Sequence, residues 1–134
     1  MTNQAGHRYP TDLRYTREHE WARIQGSEAS VGITAYATEE LGDIVFVELP
    51  KVGTEIKQFG KFGEVESVKT VSDLFLPMGG EVLAVNPRLK REPELVNGDP
   101  YGEGWLVRVR LKDSAEEAKL LDSQEYERML SGSR

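Results

Sequence analysis

A mainly β fold, a small barrel or sandwich, is what this sequence predicts, and three observations predict it. Short apolar or alternating runs rich in Val and Ile recur from Tyr9 to about Lys112. Gly- or Pro-containing breaks separate them, at Gly26, Pro50 with Gly53, Gly60 with Gly63, Pro77 with Gly79 and Gly80, Pro87, Pro93, and Gly98 with Pro100. Short strands with that punctuation build barrels and sandwiches. Helical periodicity, by contrast, is confined to one short stretch near residue 35 and to the C-terminal end.

The elements follow in chain order. Residues 1–8 are polar and read as a flexible N-terminal tail. Residues 9–134 read as a single domain, a β body over 9–112 followed by C-terminal helices over 113–131. Trp21 to Ile24 alternates, and Ser30 to Ile33 is short and β-branched. Thr34 can cap a helix over Ala35 to Leu41, with Gly42 ending it. Asp43 to Leu49 is the strongest strand, an apolar run closed by Pro50, and its aliphatic and aromatic residues are expected in the core. Trp105 to Leu111 alternates again. Asp113 or Ser114 can cap a helix through Leu121, with Glu116 and Glu117 in its first turn. Ser123 can cap another through Leu130, ended at Gly132. Leu120, Leu121, Tyr126, Met129 and Leu130 form apolar stripes that should pack on the β body. Trp21 and Trp105 read as packing residues.

Composition removes whole classes of function. The chain has 134 residues and no cysteine, so no disulfide framework and no thiolate metal site comes from its own residues. Lys and Arg number 17 against 23 Asp and Glu, a net charge of −6. Nucleic acid and anionic membranes reward clustered basic residues, so neither is expected as a partner. No charge-free run approaches the roughly 20 residues of a membrane helix. Residues 1–8 carry no apolar signal core. Of the two histidines, His7 lies in the tail, so a two-His metal centre is not expected. Phosphate loops and nucleophile elbows are absent. The residues read as a small acidic β domain without catalytic machinery.

One segment stands apart. Gly63 to Leu76 reads as strand, tight turn, strand, with Lys69 in the middle. Val68, Thr70 and Val71 around it are β-branched and stiff at χ1. Such a tip holds the lysine amine four methylenes out, where an acylating enzyme can reach it. Glu64 and Glu66 beside it are either recognition groups for that enzyme or a solvated strand face. Gly63 and Gly80 suit turns or close backbone approach.

Read as a whole, the string resembles the glycine cleavage system H protein family. Glu66-Ser67-Val68-Lys69, Ser72-Asp73, Pro77, Gly80-Glu81-Val82 and Asn86 carry the resemblance around the hairpin. His19-Glu20-Trp21, Val31 to Thr34, Leu41 to Pro50, Leu95-Val96-Asn97, Pro100-Tyr101 and Gly104 to Leu106 carry it elsewhere, from about Tyr9 to Leu130. Thr70, Leu76, Gly79 and Glu18 depart from the commonest pattern of the family.

The resemblance implies a flattened β barrel-sandwich hybrid with short helices and a lipoyl carrier domain without catalysis of its own. Lipoic acid would be amide-linked to Lys69. The arm would shuttle an aminomethyl group from the pyridoxal-phosphate glycine decarboxylase to the tetrahydrofolate-dependent aminomethyltransferase, with reoxidation by dihydrolipoyl dehydrogenase. A lipoate ligase, or an octanoyltransferase with lipoyl synthase, would modify it. Location would be the bacterial cytoplasm, or the mitochondrial matrix for a processed eukaryotic form. Glu20, Glu66, Ser67, Val68 and Asp73 are the motif and arm-pocket candidates. By residue chemistry alone Glu20 reads as an exposed strand residue and Asp73 as a turn cap. Three further readings stand beside the carrier: an octanoyl or lipoyl relay to other proteins, a biotinyl carrier, whose lysine is usually flanked by methionines, and a small hydrolase using Glu20 and Asp73.

Overall fold

The computed structural model describes residues 9–132; the expected tail over 1–8 lies outside them. Nine strands form two antiparallel sheets. In chain order they are β1 (Arg14–Tyr15), β2 (Glu20–Gln25), β3 (Glu28–Ile33), β4 (Ile44–Glu48), β5 (Glu55–Ile56), β6 (Lys61–Ser67), β7 (Val71–Phe75), β8 (Gly80–Val85) and β9 (Val107–Leu111). The larger sheet runs β1-β2-β3-β9-β8-β5 and the smaller β4-β6-β7. No continuous ladder joins them, so the body is a barrel-like sandwich without closure. No helix among the described residues is long and apolar enough to cross a membrane.

The sheets are held by the side chains between them. Val31, Ile33, Val82, Val107 and Val109 from the larger sheet meet Ile44, Phe62, Val65 and Leu74 from the smaller. β3 and β9 contribute alternate residues, as half-buried strands require, while register shifts in β4, β6 and β8 interrupt the alternation there. A second, aromatic cluster closes one end. It holds Tyr9, Leu13, Tyr15, Trp21 and Tyr126. Tyr15 and Tyr126 stack with centroids 4.7 Å apart. The buried Trp21 donates its indole N–H to the carbonyls of Ile33 and Pro100, each at 3.1 Å.

The β4 region departs from expectation. Ile44 is buried and Val47 and Leu49 are half-buried, but Val45 is 48% and Phe46 55% exposed. The reason is the sheet itself. Its inner face meets the larger sheet, while its outer face stays open. A register shift between Ile44 and Phe46 turns Phe46 outward, opposite Glu66, which stands opposite Val71. An apolar run signals burial of both faces only when both are covered. Phe46→Ala should therefore change stability by no more than about 1 kcal/mol, whereas Phe62→Ala, deep between the sheets, should cost about 3–5 kcal/mol. Urea unfolding of the two variants reads this directly; equal losses would contradict the outward placement.

Gly63 sits inside β6 rather than in a turn, where an added Cβ would collide with the Glu48 carbonyl. Close approach, not turn geometry, explains it.

The helices are short. α1 (Ala35–Leu41) is capped by the Thr34 hydroxyl and ends at Gly42, as the sequence predicts. A 3₁₀ turn at Pro87–Lys90 and α2 (Leu95–Gly98) carry no periodicity long enough to be read in advance. After β9, Asp113 caps a 3₁₀ segment, Ser114–Lys119, in place of the expected α-helix to Leu121. α3 (Ser123–Leu130) is capped by Asp122, not Ser123, through a reciprocal box with Glu125. It delivers Tyr126 to the aromatic cluster.

Candidate functional site

Three residues, Val68 to Thr70, join strands β6 and β7 in a tight turn. Tight hairpin loops normally need left-handed residues to match the strand twist. Neither Val68 nor Lys69 has a positive φ. Ser67 compensates. Its backbone N–H donates to the Thr70 carbonyl at 2.8 Å. Its hydroxyl oxygen accepts the N–H groups of Lys69 at 3.0 Å and Thr70 at 3.1 Å. The side chain is buried inside the turn it organises. Ser67→Ala should cost about 1 kcal/mol and accelerate amide exchange at Lys69 and Thr70. Unchanged exchange at both amides would refute the role.

The tip presents Val68, 68% exposed, beside the exposed lysine. The amine reaches back over α1 and donates to the Glu40 carbonyl at 3.2 Å, a contact that the negative end of the helix favours. Glu66 points outward between Phe46 and Val71. Asp73 is not a turn cap. It lies in mid-strand opposite Glu64, and Lys61 bridges the two acids at 3.2 and 2.7 Å. A pair this exposed contributes little to stability, but it relieves two carboxylates placed directly opposite each other.

Glu20 is the largest correction. It is 1% exposed rather than on a solvated strand face. β7 is the edge strand of the smaller sheet, and the outward N–H of Phe75 needs an acceptor. Glu20 Oε2 accepts it at 3.0 Å, while Oε1 accepts the Thr16 hydroxyl at 2.5 Å. Burial pushes the carboxyl up to about 7, the two hydrogen bonds opposing the rise. Its neighbour His19 takes a φ of 78° and places Nδ1 2.8 Å from the Tyr126 hydroxyl, which also meets Thr34 at 2.8 Å. Burial lowers the His19 pKa, with Glu18 and Glu40 pulling the other way.

Glu20 opens onto a cleft of about 550 Å³, lined also by Thr16, Arg17, Glu18, Phe59, Phe75, Lys119 and Leu121. The cleft lies where β7 ends. Phe75 is six residues beyond Lys69, a span of about 20 Å at strand rise. Glu66, Ser67, Val68 and Lys69 thus gather at the tip, Asp73 lies midway along β7, and Glu20 sits at the far end. The two acids do not converge as a pair: Asp73 is not part of the cleft wall. Phe59 and Phe75 were not singled out in the sequence, and Leu121 was read only as packing on the β body. Tertiary contact alone groups the three in one wall. Among the described residues, no cluster of His, Asp and Glu is placed to hold a metal ion.

The chain is similar to known proteins in sequence and in fold. Residues 13–133 match the family model described as glycine cleavage H-protein. A glycine cleavage system H protein of Rubrobacter xylanophilus is 60% identical over 90% of this chain and 94% of its own length. One of Bacteroides thetaiotaomicron is 52% identical over 92% and 98%. The crystal structure of a glycine cleavage system H protein from Mycobacterium marinum superimposes with a TM-score of 0.80 at 41% identity, covering 92% of this chain and 99% of that one.

Proposed function

The chain belongs to the glycine cleavage H-protein family, a family of lipoyl carriers in glycine cleavage, and from that membership we propose that its lipoyl group is amide-linked to Lys69. The observation that carries the assignment is the tip. It holds an exposed primary amine on a tight turn whose backbone is tied by Ser67. A stiff turn presents the amine at low entropic cost to a modifying enzyme. Glu66 and the exposed Phe46, Val68 and Val71 beside it are the surface such an enzyme would meet.

The residues also fit a parked arm. Phe59, Phe75 and Leu121 offer apolar walls, and Glu20 offers an acceptor at the end of β7. When bound, the lipoyl group supplies a disulfide that opens to hold the aminomethyl unit left from glycine and closes again on oxidation. The chain does the rest by position and charge. The apolar walls exclude water from the carried unit. Glu20 balances the ammonium that such a unit presents, since a desolvated cation needs an acidic partner. Glu18, lining the same cleft, adds negative charge. Asp73, held by Lys61 on the way from the tip, lines the route rather than the destination.

The chain is a carrier subunit, and its partners are enzymes of the glycine cleavage system. The reading names them as the pyridoxal-phosphate glycine decarboxylase, the tetrahydrofolate-dependent aminomethyltransferase and dihydrolipoyl dehydrogenase, with a lipoate ligase or an octanoyltransferase and lipoyl synthase loading Lys69. Peptide mass mapping of chain purified from its own cells tests the assignment. A lipoyl or octanoyl increment on the Lys69 peptide is expected; a biotinyl increment, or none in lipoate-competent cells, overturns it.

A further inference from the structure

The tip of the hairpin is held by more than its own turn. The Val68 N–H donates to the carbonyl of Asp43 at 3.0 Å. Asp43 lies in the short connection between α1 and β4, where Gly42 takes a φ of 80°. An added Cβ on Gly42 would stand 3.2 Å from the Lys69 Cε, so the lysine stem rests on this connection as well. The Lys69 amine completes the contact through the Glu40 carbonyl. Three successive features of the tip, one backbone N–H, one stem and one amine, therefore rest on residues 40–43.

Nothing in that connection is intrinsically rigid, for it contains a left-handed glycine and an exposed aspartate. A residue from elsewhere in the chain immobilises it. Asn97 lies in α2, which packs beside α1. Its Oδ1 accepts the Ile44 N–H at 2.9 Å, and its Nδ2 donates to the Gly42 carbonyl at 2.9 Å. One carboxamide thus clamps the residues immediately before and after Asp43. A carboxamide offers a donor and an acceptor in one planar group without depending on protonation state, and the short Asn stem suits the span from α2.

We propose that Asn97 is a positioning residue for acylation of Lys69, holding the α1–β4 connection as the platform on which the hairpin tip is presented to the acylating enzyme. The inference rests on the reading of Lys69 as the acylated lysine. In the step concerned, the amine first gives a proton to solvent. Its nitrogen then attacks the carboxyl carbon of an acyl adenylate. The C–N bond forms as the bond from that carbon to the phosphate oxygen breaks, AMP leaves with the electron pair, and the nitrogen gives up a second proton to solvent as the neutral amide forms. Such a transfer depends steeply on where the nitrogen stands, and a tip released from its platform loses that definition.

The test uses unacylated full-length chain with a lipoate–protein ligase, ATP and lipoate. Asn97→Asp keeps an acceptor for the Ile44 N–H but turns an oxygen toward the Gly42 carbonyl; Asn97→Ala removes both bonds. Asn86→Ala is the control. Asn86 also bridges backbone, donating to Glu103 and Trp105 carbonyls at 2.8 Å each, but touches neither the tip nor its platform. With the clamp broken, ligase kcat/KM should fall about tenfold, and hydrogen exchange at the Val68 amide should rise by a similar factor. Asn86→Ala should lose stability comparably yet stay within twofold of wild type in both readouts. Wild-type acylation rates in Asn97→Asp, or an equal loss in Asn86→Ala, would overturn the inference. Asn97→Asp carries the test should Asn97→Ala not fold. Absence of acylation at Lys69 in the wild-type chain would instead overturn the reading of that lysine, and this inference with it.

Discussion

Lys69→Arg should abolish acylation while leaving the fold unchanged. The side chain at this position is exposed, and its amine donates to the Glu40 carbonyl, a bond that a guanidinium can also make. Surface changes of this kind stay within about 0.5 kcal/mol. Acylation is different, because it needs a nitrogen that gives up its proton, and a guanidinium stays charged at any workable pH. Intact mass after incubation with ligase, ATP and lipoate should therefore stay at the unmodified value. In a reconstituted glycine cleavage system, turnover should fall to background. Full modification of Lys69→Arg at another lysine would move the attachment site elsewhere. Normal turnover without modification would remove the carrier mechanism itself. The same variant separates carrier from relay in cells. A relay loses lipoylation of other proteins along with its own; a dedicated carrier does not.

The second large effect is expected at Glu20, in the pH dependence of stability. The unfolded chain titrates this group near 4.5, and the folded one near 7. Between those values the native state holds a proton that the unfolded state has lost. Stability due to this group is therefore fully present below about pH 4.5 and is lost as pH rises through 7. The difference corresponds to about 3 kcal/mol. His19 acts with the opposite sign, since burial lowers its pKa and raises native stability as pH climbs toward 6.5. Comparing Glu20→Gln with wild type isolates the carboxyl. An amide oxygen can still accept the Phe75 N–H, and the Thr16 hydroxyl can reorient to donate or accept. Urea midpoints of Glu20→Gln should lose the decline between pH 5 and 8 and should exceed wild type at pH 8. A decline that persists in the variant would assign the titration to another group.

The same residue bears on the carried unit. Placing an ammonium in the cleft beside Glu20 would favour the carboxylate, so docking of the loaded arm should release a proton near neutral pH. Glu18, in the same cleft, opposes the carboxylate. Glu20→Ala, with neither charge nor acceptor, should shorten the lifetime of the aminomethylated form while leaving lipoylation of Lys69 intact. An unchanged lifetime would remove Glu20 from the shelter.

Much of this was legible in the chain before folding. Thr34 and Gly42 marked both ends of α1, and alternation marked β2 and β9, because caps and strand periods are local facts written in neighbouring residues. Lys69 was legible for a similar reason. A lysine among β-branched residues between two strands needs no distant partner to be placed at a tip. Family resemblance added the chemistry of that amine. The misreadings share one cause. Phe46 and Val45 belong to an apolar run, yet their outward orientation depends on which face of the small sheet is covered. Asp73 was read as a turn residue because its opposite number, Glu64, and their common cation, Lys61, emerge only from the pairing register.

By itself, then, the sequence determined the class of fold, the hairpin and the lysine at its tip, since strand periodicity, turn chemistry and motif order are carried by residues close together in the chain. Tertiary structure alone decided the environment of Glu20 and the platform under Lys69. Glu20 is buried because an edge-strand N–H, 55 residues away in sequence, needs an acceptor. The platform is firm because Asn97 reaches back 53 and 55 residues to Ile44 and Gly42. Hydrogen-bond satisfaction and burial are settled between segments distant in sequence, and no local pattern encodes them.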